Sequence, residues 1–260
     1  SGKTCIQVFF YRSKQNWGNQ AFFPKHDEDE NIKDILTSFI SQFYENKTIP
    51  SLIITNSDVN DKKLLEETFS NKENKQVILK QAKSKNEVSI LKLAEKNARQ
   101  ALTQKLIQSD TNNKLIESLS SKFKINENID LIEVYDNSHI QGTDSIGALI
   151  CFGREGFVKK RYRKFNIKNN DIKNDDYGMM REVLFRRFSK AIKEKSGSLS
   201  LPDLVILDGG KGQYSVGREI LDELGLYGLP IIAVAKGKKR NAGEEKIYYK
   251  GKEFNLNKND

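Results

Sequence analysis

The sequence predicts an α/β protein built on a mixed sheet flanked by helices. Three observations carry this. Two apolar runs, IDLIEVYDNSH and LPDLVILDGGKGQ, each deliver one carboxylate, Asp136 and Asp208, to the polar edge of a buried strand. From about Asn126 onward the hydrophobic periodicity reads β-β-β-α-β-α-β, the alternation of an α/β chain. The first half repeats much of that order.

Residues 4–12 and 18–24 read as a β-hairpin that turns through Lys14 to Gly18. DEDENIKDILTSFISQFY reads as a helix. Its acidic start suits the positive end of the helix dipole, and Ile32, Ile35, Leu36, Phe39, Ile40 and Phe43 form its apolar stripe. IPSLIITN is a short buried strand, Asp61 to Phe69 a helix and KQVILK another strand. Ser84 to Phe123 is rich in Ala, Leu, Lys and Glu and reads as a long helical connector, with a break expected near Ser109–Asn112.

Beyond it, Asp130–Asn137 and Ser145–Phe152 are strands, and Arg154-Glu155-Gly156 turns into a third over Phe157–Ile167. Asp175–Lys195 is a helix, Leu204–Asp208 a strand, Lys211–Leu224 a helix and Pro230–Ala235 a strand, and Lys246–Tyr249 opens a terminal hairpin. The division expected is an α/β unit over 1–83, a connector over 84–123 and a second α/β unit over 124–260. IQVFFYRSKQ parallels ALICFGREGF, and IPSLIITN aligns with LPDLVILD, which sets Asn56 where Asp208 stands. The two units read as a duplication, the first without the key Asp and without an opening strand, which is expected ahead of Ser1.

At 260 residues the chain has room for two domains, and 37 % hydrophobic with 30 % charged residues describes a globular protein. No apolar run is long enough to span a bilayer, and no signal peptide is visible. The chain enters a strand-like run without an initiator Met, which is expected of an internal fragment. Cys5 and Cys151 lie in apolar runs without partners at metal-ligand spacing, as in a reduced cytoplasmic protein. The net charge of +9 leans toward residues 121–260, with 26 basic against 20 acidic side chains. That fits a polyanionic partner, although many soluble proteins reach it without one.

A buried Asp is costly unless something pairs with it. Two of them at strand ends suggest a shared site for Mg²⁺ or Mn²⁺, whose hard oxygen ligands a rigid sheet holds at fixed separation. The competing reading is two separate turn or cap residues. Asp175 or Asp176 is a candidate third ligand, and the same pair makes a good helix cap. Basic groups suited to phosphates are Lys159, Lys160, Arg161, Arg163 and Lys164, then Arg186, Arg187, Lys190 and Lys193, then Lys236, Lys238, Lys239 and Arg240. If the first group is a strand, Lys159, Arg161 and Arg163 share a face. DGGKGQ fails the Walker spacing but could offer backbone amides and Lys211 to a phosphate, so a nucleotide-binding protein remains a rival. His139 falls on the opposite strand face from Asp136, and His26 lies in a charged loop. No Ser/His/Asp spacing persuades, and the aromatics form no stacking platform.

VYDNSHIQG, the strands around CFGREG, YRKFNIK, the DDYGMM helix, LPDLVILDGGKGQ and PIIAVAKG occur in order and together closely resemble the endonuclease region of the UvrC family. CIQVFFYRSK, SFISQFY and LAEKNARQAL resemble the segment before that region, so the likeness covers nearly the whole chain. The resemblance implies an RNase H-like fold and a divalent-metal endonuclease that cuts damaged double-stranded DNA on the 5′ side of a lesion, with UvrB as partner. It places the first catalytic Asp on Asp136, the second on Asp208 and an acidic position on Asp175 or Asp176. It implies nucleic-acid contacts among Lys159, Arg161, Arg163, Arg187, Lys211 and Lys236. The family's histidine, in an Arg-Asp-Glu-x-His context, has no counterpart after His139, and its UvrB-binding segment is expected outside this chain. A noncatalytic DNA- or partner-binding module is the alternative reading.

Overall fold

The computed structural model describes residues 3–125, 128–140, 144–167, 175–194, 200–237 and 245–255, with 138–140 and 144–145 followed in backbone only. The chain packs as two units, Ser1–Ile107 and Gln108–Asp260.

The first unit opens with an antiparallel hairpin, β1 (Ile6–Arg12) and β2 (Gln15–Phe22). Its turn is tighter than the sequence predicts. Ser13 and Lys14 both take positive φ, the two-residue geometry whose twist matches the strands. Helix α1 (Ile32–Phe43) begins where the Asn31 side chain accepts the Lys33 N–H at 3.0 Å. The acidic run before Asn31 therefore lies outside the helix, and only Asp34 sits in its first turn. Strand β3 (Leu52–Thr55), helix α2 (Lys62–Glu73) and strand β4 (Ile78–Gln81) follow, and β3 and β4 pair in parallel. Ile40, Ile49, Phe69, Val77 and Leu79 are the centre of this unit's core. The two strand pairs of this unit remain separate sheets.

Helix α3 runs unbroken over Lys85–Phe123. It contains no Gly or Pro, and the polar stretch where a break was expected is held in the helix. Asn112 is buried there, and its amide meets Gln108 one turn back. The boundary between the two units falls within this helix, between Ile107 and Gln108.

The second unit is an eight-stranded mixed sheet. Its strands are β5 (Leu131–Ile140), β6 (Asp144–Gly153), β7 (Gly156–Phe157), β8 (Arg163–Asn166), β9 (Leu204–Asp208), β10 (Ile231–Ala235), β11 (Lys246–Tyr249) and β12 (Lys252–Asn255). The order is β12-β11-β10-β9-β5-β6-β7, with β8 also on β6. The three central strands, β10, β9 and β5, run parallel. Helices α4 (Asp176–Lys193) and α5 (Lys211–Glu223) cover one face, where Tyr135, Met179, Leu184, Phe188, Leu207 and Leu221 are buried together. Helix α5 comes so close that a Cβ on Gly217 would lie 2.5 Å from Ile231 Cδ1 and 2.8 Å from Leu207 Cδ1. Ile116 and Phe123 of α3 pack on the other face with Ile132, Leu204, Ile232 and Tyr249.

The strand expected over Phe157–Ile167 is broken. After β7 the chain makes a 3₁₀ turn at Lys159–Arg161 before re-entering the sheet as β8. Lys159, Arg161 and Arg163 therefore share no strand face. Among the described residues, no helix is long and apolar enough to cross a membrane.

Candidate active site

Alternation along the strands decides where each carboxylate points. Ile132 and Val134 of β5 face the α3 side of the sheet, and so do Leu204 and Ile206 of β9. Asp136 and Asp208 continue those two series, so both project from the same face. Tyr135 pairs with Leu207 in the parallel register, which sets Asp136 and Asp208 side by side one residue further on. They stand at the C-terminal edge of the parallel strands, where open α/β sheets present ligand sites.

The pair is electrostatically loaded. Asp136 opens to solvent, yet partial desolvation, followed by repulsion from Asp208, holds its carboxyl above the ordinary aspartate range. Lys236 and a hydrogen bond from the Asn137 backbone act in the opposite direction. Lys236 follows β10 and donates from Nζ to Asp208 Oδ2 at 3.0 Å. A second cation belongs to the same row. Ala148 of β6 lies opposite Asp136, and Lys164 of β8 lies opposite Ala148. Lys164 is thus exposed on the same face, two strand spacings or about 10 Å from Asp136. Only the register reveals this position, so no motif marks it in the sequence.

Other candidates are placed elsewhere. The Asp175 side chain accepts the Tyr177 N–H at 3.0 Å as the N-cap of α4, and Asp176 lies in the first turn. The buried residues of α4 pack on the sheet face opposite the two carboxylates, and the Asp175 carboxylate is engaged as the helix cap. Among the described residues no group of three His, Cys, Asp or Glu gathers around a metal position. The β5 residue Asn137 donates from Nδ2 to the Asp176 carbonyl at 3.2 Å, which fixes the start of α4 beside the site. Lys211 is exposed at the first turn of α5, after a Gly209-Gly210 turn in which Gly210 N–H donates to Gln213 Oε1 at 2.9 Å. Arg161 donates to the Ser200 carbonyl at 3.0 Å, and Arg163 to the Tyr162 carbonyl at 2.8 Å. Lys159 is exposed on the 3₁₀ turn. The His139 side chain and Lys238, Lys239 and Arg240 lie outside the described residues.

Arg187 requires a correction. It is 4 % exposed and donates to Glu133 Oε1 from both Nε (3.2 Å) and Nη2 (2.5 Å), so it cannot meet a phosphate. Tyr135 Oη donates to the other oxygen of Glu133 at 2.5 Å, and Nη2 of Arg187 also reaches the Ser200 carbonyl at 2.9 Å. The signal was Glu133 itself, an acid inside an apolar strand that had to find a buried cation. Above this network, burial pushes the Cys151 thiol up to about 11, which leaves it unreactive.

Residues 120–260 match the family described as UvrC RNAse H endonuclease domain, and residues 1–105 match the UvrC Ribonuclease H-like domain. The chain belongs to the UvrC family. It is similar to UvrABC system protein C of Maricaulis maris, at 43 % identity over 255 residues covering 96 % of this chain and 40 % of that protein. It is also similar to UvrABC system protein C of a Ruegeria species, at 41 % identity over 264 residues covering 100 % of this chain and 42 % of that protein. The chain therefore spans about two fifths of these UvrC relatives. A crystal structure of human ENDOV shares 12 % identity at a TM-score of 0.30, over 47 % of this chain and 58 % of that one.

Proposed function

We propose that residues 108–260 form the catalytic part of a nucleotide excision repair endonuclease of the UvrC type, which hydrolyses a phosphodiester on the 5′ side of a lesion in duplex DNA. The observation that carries this reading is the side-by-side placement of Asp136 and Asp208 on one sheet face, at the C-terminal edge of parallel strands. Membership of an endonuclease family supports it.

Two hard oxygen donors that repel each other, open to solvent and partly neutralised by one lysine, fit Mg²⁺ or Mn²⁺. When bound, such an ion supplies Lewis acidity at a phosphoryl oxygen and lowers the pKa of water. The chain's own residues do the rest. The rigid strands fix the carboxylates, and Lys236 and Lys164 flank them as cations for the strand's phosphates. Lys211, Lys159, Arg161 and Arg163 extend that basic surface. UvrB is the proposed partner in selecting the lesion.

Calorimetric Mn²⁺ titration of the chain tests the site. Asp136→Asn and Asp208→Asn should each weaken binding at least tenfold, and unchanged binding in both would show that the carboxylates are structural. A duplex with a defined lesion and an end label then reports the position of the cut. DNA binding without any metal dependence would favour a noncatalytic binding module.

A further inference from the structure

The two units share an element order: hairpin, helix, strand, helix and parallel strand. In the second unit β5 fills the slot between β6 and β9 and makes one sheet of them. In the first unit the counterparts of β6 and β9 are β1 and β3, and they stay in separate sheets. A groove of about 1110 Å³ lies between them, lined by all of β1, all of β3 and residues of α1 and α3 that include Phe43 and Ala94.

Exposure locates the missing neighbour. Ile132 of β5 pairs at once with Phe152 of β6 and Leu204 of β9. The aligned positions in the first unit are Phe10 and Leu52. Leu204 is 0 % exposed, whereas Leu52 is 43 % and Phe10 37 % exposed. Both are apolar strand residues that lack the partner Ile132 supplies to their counterparts.

We propose that this groove seats one extended strand that runs antiparallel to β1 and parallel to β3, joining their two sheets. In its register one residue pairs with both Phe10 and Leu52. The topology assigns the source: β5 passes directly into β6, so the counterpart strand is the segment that stands immediately ahead of the matching region in the longer UvrC relatives. The groove also dictates chemistry. β5 is covered on both faces, by α4 on one and α3 on the other. The groove is lined by α1 and α3 in the same way, so the occupant is an apolar, β-branched run rather than an alternating one. The proposal does not depend on the carboxylate pair.

The test is hydrogen exchange on the 260-residue chain with a synthetic peptide of about twelve residues, enough for one strand and its turn. Its sequence is that of the Ruegeria protein just ahead of the region matching this chain. Amides of β1 and β3 should exchange at least tenfold more slowly with the peptide and unchanged with a scrambled one. Leu52→Lys, at an exposed position, should weaken peptide binding tenfold, and Leu64→Lys, exposed outside the groove, should not. The proposal fails if the peptide binds without protecting these amides or does not bind. It fails equally if they become protected on raising the protein concentration alone, since the occupant would then be a second copy.

Discussion

At the scale of single residues, the site is defined by charges that constrain one another. Asp136 holds its proton more tightly in the folded chain than an ordinary aspartate. The sign follows: its contribution favours the fold at low pH and fades as pH rises through the raised pKa. Asp208→Asn removes the neighbouring charge, so Asp136 should titrate lower by carboxyl-detected NMR, and an unchanged titration would show that the two do not interact. Arg187 and Glu133 obey a different rule, because both are buried. Arg187→Ala leaves a buried carboxylate unpaired and should destabilise the chain by about 3–5 kcal/mol in urea unfolding. Arg187→Met with Glu133→Leu should recover most of that loss.

At the scale of elements, caps and close contacts set the boundaries. Helix α3 opens on a capping box: Glu87 N–H donates to Ser84 Oγ at 3.2 Å, and Ser84 N–H donates to Glu87 Oε2 at 3.2 Å. Ser84→Ala should cost about 1 kcal/mol. Lys80, foremost, and the Lys83 and Ser84 amides hold the Glu87 carboxyl down to about 2. Its support is complete above the ordinary 4.5 and should disappear as pH falls from there toward 2, which acid titration by circular dichroism would follow. Gly153 ends β6 where a Cβ would meet the Asp130 carbonyl oxygen at 2.6 Å. Backbone cannot swing aside, so Gly153→Ala should destabilise by about 1–3 kcal/mol. Hydrophobic periodicity revealed the hairpins, the helices and the order of strands, because each has a buried face. It did not reveal the 3₁₀ turn at Lys159–Arg161. That run lies at the surface without Gly or Pro, and the turn is fixed by β6 pairing with both β7 and β8.

At the scale of the whole molecule, the position of Asp136 and Asp208 at strand edges was legible because each follows an apolar run. Their standing side by side depends instead on the parallel register of β5 and β9. Lys164 was visible only as one of several basic residues, since its place beside the pair depends on two strand registers. If the chain engages DNA through this face, affinity should fall linearly on a log scale with salt. Lys164→Ala and Lys236→Ala should each reduce that slope by about one. A slope unaltered in both would place the DNA on another surface. The Glu133–Arg187 contact also bears on how such a sequence drifts. Losing either partner alone forfeits a large part of a typical folding margin of about 5–15 kcal/mol, while losing both together need not. A lineage can therefore exchange this pair for apolar residues only by crossing a poorly folded intermediate, and so the two positions should change in concert or stay fixed.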